Sequence, residues 1–239
     1  MLQTMAINPN NSLPLSHTIY CGASGSGKTT AVKLLGRVGK CAVLFDPMGD
    51  YRPSRKRKLS GLGKGRTVHH YTSRKGFAAA FLEAWRSGKG FAIAYQSPHS
   101  DNLDKLREDA LWFGQLVHAA SDGNRELHVV FEELARYCTN ATADRSILGW
   151  IANVGRKFNI IAHWSFQRPM QVPKTFIDDA EYFVIGAQNS VKDARRWMEE
   201  LDCSLDEIVA LGRKNTPTKK HYLLKESGIG NYREISLTI

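Results

Sequence analysis

The chain has 239 residues, 42% of them hydrophobic, which suffices for the core of one large α/β domain with small appendages. Thirty-three Lys and Arg against 23 Asp and Glu leave a net charge of +10, which points to an anionic partner. No apolar run approaches the roughly 20 residues of a membrane span, and Cys21, Cys41, Cys138 and Cys203 have neither paired nor metal-ligand spacing, so neither a disulfide framework nor a zinc site is indicated and a reducing cytoplasm fits.

Residues 1–16 are Asn-rich, contain Pro9 and Pro14, and lack the cationic start and apolar centre of a signal peptide. They read as an irregular arm, either disordered or clasping a neighbouring subunit. The β-prone run Thr18-Ile19-Tyr20-Cys21 then leads into Gly22-Ala23-Ser24-Gly25-Ser26-Gly27-Lys28-Thr29, which fits G-x-x-x-x-G-K-[ST]. From Thr30 the spacing is helical. In a strand-to-helix setting this pattern predicts a phosphate cradle: Gly22, Gly25 and Gly27 supply backbone conformations closed to other residues, so that successive N–H groups converge on an anion. Lys28 neutralises β/γ-phosphate charge, and the Thr29 hydroxyl is placed to ligate Mg²⁺. ATP with Mg²⁺ is therefore the expected ligand, bound by residues 22–30.

Cys41 to Phe45 is a continuous apolar strand of the kind found in parallel sheets. It ends in Asp46-Pro47-Met48-Gly49-Asp50-Tyr51, whose acids either face the crevice where α/β proteins bind ligands or simply start a turn. Between Arg52 and Lys75 stand nine cations, Arg52, Arg55, Lys56, Arg57, Lys58, Lys64, Arg66, Arg74 and Lys75, and no acid. Gly61, Gly63 and Gly65 suit a mobile basic loop over 52–66. A solvated linker is the bland reading, but like charges this dense inside a compact domain favour a polyanion, and DNA contact is expected.

Alternation resumes with a strand over 67–71, a helix whose apolar face is Phe77, Ala80, Phe81, Ala84 and Trp85, and a strand over 91–95. Adjacent His69 and His70 face opposite ways on a strand and cannot chelate together. Asp101 or Asn102 caps a long helix that ends before Asp122-Gly123-Asn124, with Trp112 and Phe113 expected in the core or a subunit interface. Leu127-His128-Val129-Val130-Phe131 is a strand ending in Glu132-Glu133. Downstream of a phosphate loop, that pair predicts one acid, Glu132, orienting Mg²⁺ and the next, Glu133, activating water against the γ-phosphate. An exposed acidic pair at a strand end is the alternative; the apolar run before it argues against this.

A helix from Ile147 reaches Gly155-Arg156-Lys157-Phe158, and the strand over 159–166 ends at Gln167-Arg168-Pro169, aiming Gln167 into the crevice of Glu133 to sense γ-phosphate or hold water. Arg156 either sits in a buried ion pair or projects toward a neighbouring subunit. A strand over 182–186, a helix from Ser190 to about Leu201, a short helix over 204–211 and a hairpin over 219–225 and 231–239 complete the chain.

Four segments occur in order: Gly22 to Thr29, Val43 to Tyr51, Val129 to Glu133, and Gly155-Arg156-Lys157 followed by strand and Gln167-Arg168-Pro169. Together they resemble the HerA/FtsK superfamily of DNA-pumping ATPases, and in compactness its genome-packaging members from internal-membrane icosahedral viruses. The likeness covers roughly residues 15–190. It implies a RecA-like P-loop core with a mainly parallel sheet over 17–212, the arm at 1–16 and a C-terminal hairpin at 213–239. It also implies a homohexameric ring on double-stranded DNA, with Arg156 acting in trans on the γ-phosphate and Gln167 as sensor. Glu132 departs from the family's usual Asp. Capsid or vertex proteins are the implied partners, and host cytoplasm or virion the implied location. The expected function is ATP-driven packaging of a viral genome. The alternatives are a non-packaging DNA-transfer ATPase of the same superfamily, an ATP-binding structural vertex or DNA-binding protein, and a small-molecule kinase, which the Arg156 and Gln167 segments disfavour.

Overall fold

The computed structural model describes residues 9–53, 61–63, 65–139 and 142–239. Residues 1–8 and the cations Arg55, Lys56, Arg57, Lys58 and Lys64 lie outside them. Among the described residues nine strands form one sheet in the order β3-β4-β2-β5-β6-β1-β7-β8-β9. These are β1 (Thr18–Cys21), β2 (Cys41–Phe45), β3 (His69–Tyr71), β4 (Phe91–Tyr95), β5 (Leu127–Phe131), β6 (Ile160–Phe166), β7 (Tyr182–Ile185), β8 (Lys219–Lys225) and β9 (Tyr232–Thr238). From β3 to β7 all pairings are parallel. The hairpin β8–β9 continues the same sheet antiparallel to β7. The expected α/β class with a mainly parallel sheet is borne out.

Alternation along the strands builds two unequal cores. Ile19, Cys21, Val43, Phe45, Val129, Phe131 and Trp164 face the larger one, against α2 (Arg74–Arg86), α3 (Leu103–Ala120), α4 (Ile147–Val154), α5 (Lys174–Asp178), α6 (Val191–Leu201) and α7 (Leu205–Lys214). There the Phe131 and Trp164 rings stack with centroids 4.7 Å apart, and Phe176 meets Trp164 edge-on at 4.7 Å. Tyr20, Ala42, Leu44 and Val130 face the smaller core, which holds α1 (Lys28–Leu34), Tyr51 and Tyr222. At about 1.5–3 kcal/mol for each large apolar side chain, the larger core dominates stability, and the smaller one is built around the phosphate-loop helix.

Local capping chemistry follows the sequence. Ser73, Asn102 and Ser190 cap α2, α3 and α6 through side-chain oxygens, and Ser204 with Glu207 forms a reciprocal capping box on α7. The strand expected over 67–71 is shorter, His69–Tyr71, because it lies at the sheet edge with one neighbour only. Helix α5 was not anticipated: five residues after Pro173 are too few for a helical period to show.

Candidate active site

The phosphate loop leaves β1 at the carboxyl ends of the parallel strands. Gly25 (φ 77°) and Gly27 (φ 93°) are left-handed, as glycine permits. Gly22 is required for a different reason than the sequence suggested: its φ is ordinary, but a Cβ there would lie 2.5 Å from Ser26 Oγ and 3.2 Å from the Ala187 carbonyl. Ala23 N–H donates to that carbonyl at 2.8 Å, which pins the loop to the segment after β7. The Tyr222 hydroxyl donates to Gly27 O at 2.9 Å and holds the loop from the hairpin side. Lys28 is buried, its ammonium folded onto Gly22 O at 3.1 Å, and Thr29 and Thr30 are partly exposed in the first turn of α1. Ser26 Oγ is buried and finds no partner, a group that a phosphate oxygen would satisfy.

Glu132 and Glu133 leave β5 in opposite directions. Glu132 is 1% exposed, and its Oε1 accepts from the Tyr51 hydroxyl at 2.5 Å. Burial pushes its carboxyl up to about 7, and the negative charges of Asp46 and Asp50 add to that rise. The Tyr137 hydroxyl fixes the backbone here by donating to Glu132 O at 2.8 Å. Glu133 takes left-handed backbone (φ 54°, ψ 43°), which turns its side chain out of the strand line. Gln167, at the end of β6, donates through Nε2 to both Glu133 carboxylate oxygens, at 3.2 and 3.4 Å. Because β6 lies between β5 and β1, this pair stands beside the phosphate loop. A cleft of about 300 Å³ runs from Ala23 and Ser24 past Gln167 and Arg168 to Ser190.

The Asp46 segment resolves as a turn. Asp46 is buried; Oδ1 accepts from Asp50 N–H at 2.8 Å and Oδ2 from Tyr51 N–H at 3.1 Å, while His70 Nε2 lies 3.1 Å from Oδ2. His69 is exposed and points away, so the two histidines do not converge. Among the described residues no cluster of three His, Cys, Asp or Glu is built to hold a metal alone. Thr29 and Glu132 carry oxygen donors, the type of ligand a hard cation takes.

Arg156 stands in a 3₁₀ turn, Gly155–Phe158, ahead of β6 and therefore at the amino ends of the strands. Among the described residues it makes no ion pair: its Nη1 donates to Leu13 O at 2.6 Å and Asn11 O at 3.4 Å, carbonyls of the chain's own N-terminal arm. The seven residues of β6 hold it roughly 20 Å from its own phosphate loop. Two cations of the basic run are likewise committed within the chain: Arg66 bonds Gly39 O and Lys40 O at 2.7 and 3.0 Å, and Arg74 pairs with Asp109 at 2.6 Å. Arg52 is exposed.

Sequence reasoning missed Tyr51, Tyr222 and Arg168. Arg168 pairs with the buried Asp193 at 2.9 Å on the cleft wall. A tyrosine ending the Asp-Pro-Met-Gly-Asp turn was visible, but nothing local tied it to an acid 81 positions on.

No family model matches the chain. It is 28% identical over 216 residues to Protein P9 of Pseudoalteromonas phage PM2, covering 90% of this chain and 87% of P9. In fold it is similar to the genome packaging NTPase B204 from Sulfolobus turreted icosahedral virus 2: the complex with sulfate gives a TM-score of 0.59 at 12% identity, covering 92% of this chain and 95% of B204. The complex of B204 with ATP-gammaS gives 0.57 at 12% identity, covering 92% and 96%. The resemblance carried by the four motifs is thus borne out in the fold, which this chain shares with a viral genome-packaging P-loop NTPase.

Proposed function

We propose that the chain is an ATP-driven double-stranded DNA translocase that packages a viral genome into a preformed capsid. The observation that carries this reading is the convergence of the phosphate loop, Glu132 and the Glu133–Gln167 pair at the carboxyl ends of β1, β5 and β6. The relationship to a phage protein over nine tenths of the chain and the likeness to a packaging NTPase support it. We take 17–212 as the ATPase domain and 213–239 as its hairpin appendage, working in a homo-oligomeric ring, a hexamer by family resemblance, at a packaging vertex.

ATP is the substrate. Residues 22–30 hold its phosphates, with Lys28 on the β/γ oxygens; Thr29 and Glu132 would hold Mg²⁺, which would supply charge neutralisation on the phosphates. Glu133 takes a proton from water as the water oxygen bonds to the γ-phosphorus; the bond to the β–γ bridging oxygen breaks and ADP leaves with that electron pair. Before substrate arrives, Gln167 occupies both Glu133 oxygens, so its release on meeting γ-phosphate frees the base. Arg156 acts on a neighbour's γ-phosphate; its distance from its own loop supports action in trans. DNA is held through phosphates and hence without regard to sequence.

The test is ATPase activity with and without double-stranded DNA. Activity raised by DNA and abolished in Lys28→Ala and Glu133→Gln is expected; activity indifferent to DNA sinks the translocation claim.

A further inference from the structure

The cleft beside the phosphate loop holds a cation that the chemistry above does not use. Arg168 follows Gln167 at the end of β6, and its extended backbone (φ −134°, ψ 128°) sends the two side chains to opposite sides. Gln167 meets Glu133, whereas Arg168 meets Asp193 of α6. Pro169 disfavours helical backbone at the residue before it, and Gln171 N–H donates to Arg168 O at 3.1 Å, so the arginine starts from a fixed place. Cys21, the last residue before the loop, donates through Sγ to Gln167 O at 3.5 Å and ties that place to the mouth of the loop.

The ion pair is incomplete. Ser190 caps α6 and sets Asp193 on the buried face of the helix, where it is 2% exposed. Asp193 Oδ2 accepts from Arg168 Nε at 2.9 Å, but Oδ1 is buried and has no partner. Arginine readily meets a carboxylate through two parallel N–H bonds, and an unpaired buried acceptor is costly. Here Nε alone makes the bond; among the described residues neither Nη group has a protein acceptor, and the side chain is 50% exposed. The missing second bond leaves the Nη groups available to the cleft of about 300 Å³ that Arg168 lines together with Ala23, Ser24 and Gln167. A guanidinium fork suits the oxygens of a phosphate group.

We propose that Arg168 is a second arginine for the γ-phosphate, supplied by the same chain that binds the nucleotide, with Asp193 as the residue that positions it. The inference rests on the reading of residues 22–30 as an ATP site and adds what tells triphosphate from diphosphate there. Ala23 and Ser24 flank the cleft on one side and Gln167, which meets the γ-phosphate in that reading, on the other. The cleft is therefore at the γ end of the nucleotide. Arg156 needs a neighbour's nucleotide; Arg168 needs no neighbour.

The experiment is equilibrium binding of fluorescent ADP and of a fluorescent, non-hydrolysable ATP analogue, both with Mg²⁺. Arg168→Gln is expected to weaken the analogue at least about tenfold, the worth of a hydrogen bond to a charged group, and ADP by less than about twofold. Arg168→Lys, which keeps the charge without the fork, is expected to recover part of the loss. Asp193→Asn loosens the hold on Nε and is expected to weaken the analogue about threefold with ADP unchanged. Because removing Arg168 alone strands a buried carboxylate, Arg168→Gln combined with Asp193→Asn decides the matter should the single variant not fold, with the same tenfold loss expected. The split between the nucleotides is expected to persist in Arg156→Gln; its disappearance there would assign it to the neighbour's arginine and overturn the proposal. Equal weakening of both nucleotides, or of neither, in a folded variant also overturns it and leaves the ATP site intact. A wild type that binds neither nucleotide overturns both.

Discussion

His17 makes folding stability depend on pH in a way that the structure sizes. It is fully buried at the entrance to β1, and its hydrogen bonds fix its tautomer: Ala162 N–H donates to Nδ1 at 3.1 Å, so the ring proton sits on Nε2 and points to Ile151 O at 3.2 Å. A second proton would face the Ala162 N–H. Burial, with the Arg156 charge adding to it, lowers the pKa from 6.5 to about 4. The unfolded chain therefore binds the proton first as pH falls, and stability is lost from about 6.5 down to about 4, a total of about 3 kcal/mol at 1.36 kcal/mol per unit. At pH about 5.5 roughly 1.4 kcal/mol of it is gone. Urea unfolding of the wild type and His17→Gln, each at pH about 7.5 and about 5.5, isolates the contribution: the wild type is expected to lose about 1.4 kcal/mol more than the variant, a midpoint difference on the order of 0.5 M. Burial lowers the buried His163 and His128 too, so the variant keeps part of the slope. Equal losses in the two proteins would refute the assignment.

Gly27→Ala places a Cβ 2.4 Å from the Tyr222 hydroxyl at a left-handed φ, so nucleotide binding is expected to vanish and stability to fall by about 2–3 kcal/mol in thermal melts; Tyr222→Phe in the same chain should restore part of the stability. Glu133→Gly relieves left-handed backbone and is expected to gain about 1 kcal/mol in denaturant titrations while abolishing turnover, whereas Glu133→Gln abolishes turnover without that gain. Arg156→Gln and Glu133→Gln are each expected to be inactive alone, but mixed in equal amounts they should recover activity at about a quarter of the interfaces of a heterologous ring. No recovery, with assembly shown by mass, would mean that Arg156 does not act across the interface.

How much of this was legible in the chain depended on how local the signal was. Buried parallel strands read as apolar runs, and β1, β2, β5 and β6 together with their terminal residues followed from sequence because strand polarity alone decides what lies at the carboxyl edge. That Gln167 faces the crevice of Glu133 was inferred that way, and the structure brings the two to 3.2 Å. What could not be read were pairings set by chain packing: Tyr51 on Glu132, Tyr222 on Gly27, and His128 on His163 at 2.9 Å across β5 and β6. Each joins residues whose own neighbourhoods look like ordinary turn or strand. Asp46 carried too little information for another reason: a buried turn-forming carboxylate and a ligand-facing one occupy the same place at a strand end, and only its two backbone partners separate them. Arg156 was read as choosing between a buried acid and a neighbour; in the single chain it bonds to carbonyls of an arm without periodicity, a contact no local signal announced.

That arm contact sharpens what the sheet already imposes. In a parallel sheet the phosphate loop, Glu132 and Gln167 follow their strands, whereas Arg156 precedes one, and β6 is a rigid spacer between the two edges. No rotamer of Arg156 reaches across roughly 20 Å of strand to its own loop, so any γ-phosphate it touches belongs to another copy. A proposal about one arginine is therefore a proposal about assembly, and the two stand or fall together. In the single chain the guanidinium already makes hydrogen bonds to Leu13 O and Asn11 O, neutral acceptors that a phosphate would replace with charged ones. In the proposed ring the exchange would be favourable only where a neighbour presents its nucleotide, and ATP at one site would then help to hold the adjoining copy in place.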